Sequence, residues 1–393
     1  MIEMHGGVRR QKRILCVLGT RPEAIKLAPV LLELARWDVA TTLCVTGQHL
    51  ELARSSLADF GIVPDIDLAL MRPRQHPEDI VAAALPALCA IIASHAPSLV
   101  IVQGDTASAL AGAMAAAYAR LPLAHVEAGL RSGDPSEPFP EDMQRRLIGQ
   151  LATVHFAPTQ SARAALLREG IAADAVHVTG NTVIDALHLA DARLMADPVL
   201  HERIAAALPL LDRRRPLVLV TAHRRENHGA RMHDIAEAVA RLAEPGDVDI
   251  VVPLHPHPHV RDVLTARLGP FANIKLLPSL DYFAFVALLR RARLVLTDSG
   301  GVQEEAPAFG CPVLVMRETT ERPEGVDAGA ARLVGTDPDR IVTAARTLIE
   351  DDRAHALMAT IVLPYGDGQA ATRIVASLMP VLESAPKSTE FNA

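Results

Sequence analysis

Short aliphatic and β-branched runs recur along the chain with longer Ala/Leu-rich stretches between them: Ile14 to Leu18, Thr41 to Val45, Leu99 to Val102, Leu123 to Val126 and Val176 to Thr179. Runs without a polar face predict strands buried on both sides, as in a parallel sheet covered by helices. The alternation restarts with Leu217 to Val220, Asp249 to Val252, Ile274 to Leu277, Leu294 to Thr297 and Val313 to Met316, so a second α/β set follows the first. The first set closes where a strand runs into Gly180-Asn181, and Arg213-Arg214-Arg215-Pro216 stands before the second. These breaks place the domain boundary within residues 180–186.

At about 150 residues per domain, a chain of 393 predicts two to three domains, which two doubly wound units satisfy. Half of the residues are hydrophobic and 22% are charged, which excludes wholesale disorder. A net charge of −7 and an aromatic fraction of 3%, with Trp37 the only tryptophan, remove the basic face and the stacking platforms of a nucleic-acid binder. The four cysteines, Cys16, Cys44, Cys89 and Cys311, form no C-x-x-C pair, which points to a reducing compartment and away from a disulfide framework or zinc ribbon. The apolar run Ile14 to Leu18, although it follows Arg9, Arg10, Lys12 and Arg13, is too short for an export signal. Ala82 to Ala93 and Ala109 to Ala119 fall short of the about 18 residues a membrane span requires. The expectation is a soluble, cytoplasmic protein without nucleic-acid or membrane partners. Met1 to Arg10 and Ser384 to Ala393 are expected to be disordered.

In open α/β sheets ligands bind beyond the carboxyl ends of the strands, so candidate chemistry is sought there. After the first strand comes Gly19-Thr20-Arg21-Pro22-Glu23-Ala24-Ile25-Lys26. Pro22 suits a first helical turn, whose exposed N–H groups favour an anion, and Arg21 and Lys26 add charge. Gln103-Gly104-Asp105-Thr106 sets an acid on a tight turn, where Asp105 serves either in chemistry or as a helix cap. His125-Val126-Glu127-Ala128-Gly129, with Glu141 at a later helix start, brings Asp105, Glu127 and Glu141 to one rim. Several carboxylates around a cleft for an anionic ligand are costly unless they handle protons or hydroxyl groups.

In the second set Thr221-Ala222-His223-Arg224 puts an imidazole beside a guanidinium, and Asp298-Ser299-Gly300-Gly301 lets backbone N–H groups approach a phosphate at a helix start. Glu305, about a turn further on, suits a ribose diol. His255-Pro256-His257-Pro258-His259 has the composition of a metal cluster, but alternating prolines predict an extended backbone that points successive imidazoles apart, so no metal is expected. The chain lacks both G-x-G-x-x-G and G-x-x-x-x-G-K-[ST], which disfavours a bound dinucleotide and a nucleoside triphosphatase.

These blocks resemble the bacterial, non-hydrolysing UDP-N-acetylglucosamine 2-epimerases. The match runs from Leu18 to Lys26 through Gln103 to Thr106, His125 to Leu130, Gly180 to Asp185, Ala222 to Asn227, Thr297 to Pro307 and Thr319 to Glu324, ending at Pro364-Tyr365-Gly366-Asp367-Gly368. The resemblance implies an α/β fold of GT-B type, with two Rossmann-like doubly wound domains facing a central cleft. Residues 1–182 would form the first, with a C-terminal helix of about 369–382 packing back on it, and residues 183–366 the UDP-binding second. It further implies an isomerase acting on UDP-N-acetylglucosamine and UDP without cofactor or metal, and a homodimer.

Carried over position by position, Asp105, Glu127 and Glu141 match carboxylates of acid/base catalysis, and His223 and Lys26 match substrate-site positions. Arg21, Ser299, Gly300, Gly301 and Arg322 resemble diphosphate or nucleotide contacts, Glu305 the ribose acceptor and Phe285 a wall of the uracil site. Leu280 falls where some relatives carry Gln, which implies a backbone contact to the base. Gln48 and His255 resemble part of a regulatory substrate-nucleotide site, from which Glu51 and His257 depart, so activation by substrate is left open. Rival readings are a hydrolysing epimerase that releases free N-acetylmannosamine, a retaining GT-B glycosyltransferase and a non-catalytic nucleotide-sugar sensor.

Overall fold

The computed structural model describes residues 12–47, 50–72, 75–133, 138–360 and 363–384, the side chains of 50–52 excepted. The segments expected to be disordered, Met1 to Arg10 and all but Ser384 of Ser384 to Ala393, lie outside the described residues. The chain divides into two compact units, Met1–Thr182 with Gln369–Ala393, and Val183–Gly368.

The first unit runs β1 Arg13–Leu18, α1 Arg21–Arg36, β2 Ala40–Val45, α2 Leu50–Asp59, β3 Ile66–Asp67, α3 Pro77–His95, β4 Leu99–Gln103, α4 Ala107–Tyr118, β5 Leu123–Val126, α5 Glu141–Leu151, β6 Val154–Ala157, α6 Gln160–Arg168 and β7 Val176–Val178. The chain then passes through α7 Thr182–Ala196 into α8 Pro198–Ala207, β8 Leu217–Thr221, α9 Ala230–Ala243, β9 Asp249–Pro253, α10 Pro258–Leu268, β10 Ile274–Leu277 and α11 Tyr282–Arg291. It continues with β11 Leu294–Thr297, α12 Gly300–Ala308, β12 Val313–Val315, α13 Pro323–Asp327, β13 Ala331–Leu333, α14 Pro338–Glu350 and α15 Asp352–Met358, and returns to the first unit as α16 Ala370–Ser384.

Both sheets are parallel, ordered β3-β2-β1-β4-β5-β6-β7 and β10-β9-β8-β11-β12-β13. Each reverses its direction of growth once, between β1 and β4 in the first and between β8 and β11 in the second. At such a switch point the loops leaving adjacent strands part in opposite directions and open a crevice for ligand.

Continuous apolar runs became fully buried strands because helices cover both faces: all of Leu99–Gln103 and all of Leu294–Thr297 are buried. Ile14, Cys16 and Leu18 pack toward α1 and α16, while Leu15 and Val17 pack toward α3 and α4. Helix α16 contributes Ile374, Val375 and Leu378, all fully buried, to that core. A side chain of this kind contributes roughly 1.5–3 kcal/mol when fully buried.

The alternation of runs does not anticipate β3, β6 and β13. The first has two residues, the second carries His155 amid its apolar positions, and the third has an exposed Arg332 at its centre. Helix α3 corrects the apolar lengths read from sequence: by length and composition it is long and apolar enough to cross a membrane. The helix extends the run Ala82 to Ala93 at both ends, and Ile80, Ala84, Leu88, Ile91 and Ile92 bury one side of it in the first unit's core.

Candidate active site

At the first switch point the β1–α1 turn is tied to the β4–α4 turn by a buried carboxylate. Glu23 accepts from Gly19 N at 3.0 Å and from Thr20 N and Oγ1, both at 2.7 Å, while its second oxygen accepts from Thr106 Oγ1 at 2.7 Å. Thr106 caps α4 by accepting from Ala109 N at 3.0 Å, so Asp105 is not needed as the cap. Instead the half-buried Asp105 pairs with the buried Arg145 of α5. Glu141 opens the same helix one turn earlier, half-buried, so α5 carries both Glu141 and the partner of Asp105.

Glu127 follows β5 with φ of +62°, a left-handed conformation that costs an L-residue energy and so marks a constrained position. Its buried carboxylate is held by Lys26 of α1 and by Asn181, whose Nδ2 donates to Oε2 at 2.8 Å. Gly104 takes φ of +70°, and an added Cβ there would lie 3.9 Å from Glu127 Oε1, which sets the Asp105 turn beside Glu127. His125, fully buried, lies beneath: its Nε2 is 2.7 Å from Gly104 O, and burial pushes its pKa down to about 3, so the ring is neutral. Arg21 is the first residue of α1 and half-buried.

At the second switch point α12 begins at Gly300, immediately after Ser299. An added Cβ at Gly300 would stand 3.2 Å from Arg322 Cζ and 3.3 Å from Arg224 Nη2, so glycine there lets two guanidiniums close on a helix N-terminus. That is anion-binding geometry, since backbone N–H groups and cationic side chains share one spot. Arg322 donates from Nε to Glu304 at 2.7 Å, and Arg224 from Nη2 to Glu321 at 3.1 Å. Although burial opposes it, the charges of Arg322, Arg224 and Arg317 hold Glu321 well below the usual carboxylate range. Glu305 is buried one turn beyond Gly301, and its Oε1 accepts from Tyr282 Oη at 2.8 Å. Leu280 and Phe285, both half-buried, flank the start of α11, the helix that supplies Tyr282.

His223 leaves β8 beside these groups, with its ring stacked on His255 at 5.6 Å between centroids. Of the candidate regulatory pair, His255 is thereby placed and Gln48 lies outside the described residues. The prolines do not splay the other histidines as expected. Pro258 starts α10, so His257 precedes the helix as its N-cap and His259 lies in the first turn; their rings approach to 5.3 Å, with His228 5.1 Å from His257. Among the described residues no group of three or more His, Cys, Asp or Glu could hold a metal.

Asn181, Arg145 and Tyr282 are site neighbours that the sequence does not mark, whereas Arg224 stands beside His223 in the strand-end motif. Each of the first three touches a candidate residue that is distant in the chain, 54 positions away for Asn181 and 23 for Tyr282, so no local pattern marks them.

The family model described as UDP-N-acetylglucosamine 2-epimerase matches residues 33–379. The chain is 46% identical over 368 residues to the UDP-N-acetylglucosamine 2-epimerase of Escherichia coli K12, covering 93% of this chain and 98% of that protein. A crystal structure of the Neisseria meningitidis enzyme bound to UDP-GlcNAc is 40% identical with a TM-score of 0.89, covering 94% of this chain and all (100%) of that one. The Staphylococcus aureus MnaA structure with UDP is 41% identical with a TM-score of 0.85, covering 95% and 97%. Two parallel, doubly wound α/β units are the GT-B-like architecture of these relatives. With its fold and nearly its whole length in common with them, the chain belongs to the UDP-N-acetylglucosamine 2-epimerase family of isomerases.

Proposed function

We propose that the protein interconverts UDP-N-acetylglucosamine and UDP-N-acetylmannosamine by eliminating UDP and adding it back. The C2–H of the sugar has no adjacent carbonyl to acidify it, so direct deprotonation is prohibitively slow. If the C1–O bond to UDP breaks as a base takes the C2 proton, positive character at C1 makes that proton removable. The products are 2-acetamidoglucal and UDP. Re-addition of the UDP oxygen to C1, with a proton delivered to C2 from the opposite face, balances the cycle without redox chemistry or water.

The observation that carries this reading is the contrast between the switch points: carboxylates held by cations at the first, guanidiniums on a glycine-bearing helix start at the second. Asp105, Glu127 and Glu141 would move protons, a contribution of about 10²–10⁴ in rate. Arg21, Lys26, His223, Arg322 and the Gly300-Gly301 amides would stabilise the departing diphosphate, with Ser299 beside them. Glu305 would take the ribose, and Leu280 and Phe285 the base. The relatives' structures, one bound to UDP-GlcNAc and one to UDP, support this choice of substrate and product.

The proposed setting is the cytoplasm, where the four free thiols suit a reducing compartment, with the product feeding bacterial surface polysaccharides. A homodimer is supported by Met143, Leu147 and Leu151, exposed along one stripe of α5. NMR of UDP-N-acetylglucosamine incubated with the protein in D₂O tests the reaction. UDP-N-acetylmannosamine with deuterium at C2 is expected. Complete retention of C2 protium would sink the elimination route, and free N-acetylmannosamine as main product would make the enzyme hydrolytic.

A further inference from the structure

We infer that Asp298 is a positioning residue for His223: it holds the imidazole by Nδ1 and so leaves Nε2 as the nitrogen that meets an anionic phosphate. The inference rests on the proposed place of His223 in the substrate site.

Asp298 is fully buried at the end of β11, the strand paired with β8, from which His223 emerges. Its carboxylate accepts hydrogen bonds from three residues of the β8 exit loop. His223 N donates to Oδ2 at 2.9 Å, Arg224 N to Oδ2 at 2.9 Å, and Asn227 Nδ2 to Oδ2 at 3.0 Å. Oδ1 lies 3.4 Å from His223 Nδ1. The separation is long for a hydrogen bond, yet catalytic contacts of this kind commonly tighten only when substrate binds. A carboxylate beside Nδ1 favours the tautomer with its proton there, since the alternative sets a ring lone pair against a negative oxygen. The stacked ring of His255 limits rotation of His223 about its side chain.

The groups that face this ring are Asp298, Arg224, Arg317, His228 and His255. Burial lowers the pKa of His223; Asp298 acts against it, while Arg224, Arg317 and His228 add to it. In the free protein the neutral ring therefore carries one proton, on Nδ1. To donate from Nε2 to a diphosphate the ring must take a second proton, and Asp298 is the one neighbour whose charge favours that. Among these facing groups it alone is anionic.

Two measurements test this. The first is ¹⁵N NMR of histidine-labelled wild-type protein at neutral pH, with His223→Gln assigning the signal. An Nδ1–H neutral tautomer is expected, and an Nε2–H tautomer would overturn the inference. The second is the pH profile of kcat/KM for UDP-N-acetylglucosamine in Asp298→Asn, whose amide keeps an acceptor for the backbone donors. Removing the charge lowers the His223 pKa further, so activity that needs the imidazolium is lost at lower pH. The alkaline limb should move down by about one pH unit. A folded Asp298→Asn with reduced rate and an unmoved limb would reduce Asp298 to a loop clamp and refute the inference. If the variant does not fold, the tautomer alone decides. A fully active His223→Gln would overturn the proposed role of His223, a result on which the tautomer measurement does not depend.

Discussion

Tyr282 pins one oxygen of Glu305 and Arg145 pins Asp105, so each carboxylate is oriented before any ligand arrives. The two are assigned different work, the ribose and the sugar's protons, and calorimetry with UDP separates them. Glu305→Ala should weaken UDP binding by about 2 kcal/mol, the worth of hydrogen bonds to a charged acceptor, whereas Asp105→Asn should leave it nearly unchanged. Equal losses would show that the division is wrong. At this scale the sequence made Asp105, Glu127 and Gly300 legible because strand ends and small turn residues are local signals. It could not show that Thr106 rather than Asp105 caps α4, nor that Asn181 reaches Glu127, since both depend on how separate loops meet.

Strands were the most readable elements because a buried parallel strand needs an unbroken apolar run, and β1, β4, β8 and β11 have one. Those strands flank the two switch points, so the loops that matter could be located before the fold was known. Where packing relaxes toward a sheet edge the pattern fades, as in β3 and β13. The histidine run misled for a related reason: a proline restricts its neighbour toward extended backbone, but Pro258 at a helix start instead sets the first turn of α10. Helix α16 is a demanding element to test. Leu378 lies fully buried against the α1 side of the first sheet, and Leu378→Ala should cost about 2–5 kcal/mol by lost burial and a residual cavity. Urea unfolding measures it; a loss below about 1 kcal/mol would mean α16 is only loosely docked.

The units differ in how the chain builds them. The second is one continuous segment, Val183–Gly368, whose core runs from Val218 to Met358, whereas the first needs a segment from each side of it. Residues 183–368 expressed alone should therefore unfold cooperatively by circular dichroism and bind UDP. Residues 1–182 alone should show no sharp transition, because the surface that α16 covers stays open. A non-cooperative 183–368 fragment, or a cooperative 1–182 fragment, would contradict this view. The doubling of the fold could be read from the restarting run of strands, while the docking of α16 on α1 is a contact across most of the chain that no local pattern carries. The return of that helix also sets an order of events on the ribosome. Domains fold as units while synthesis proceeds, so the second unit can complete itself while the first still waits for residues 369–384. A nascent chain thus exposes the carboxylate-bearing half longest, and chaperones and proteases would survey that half first.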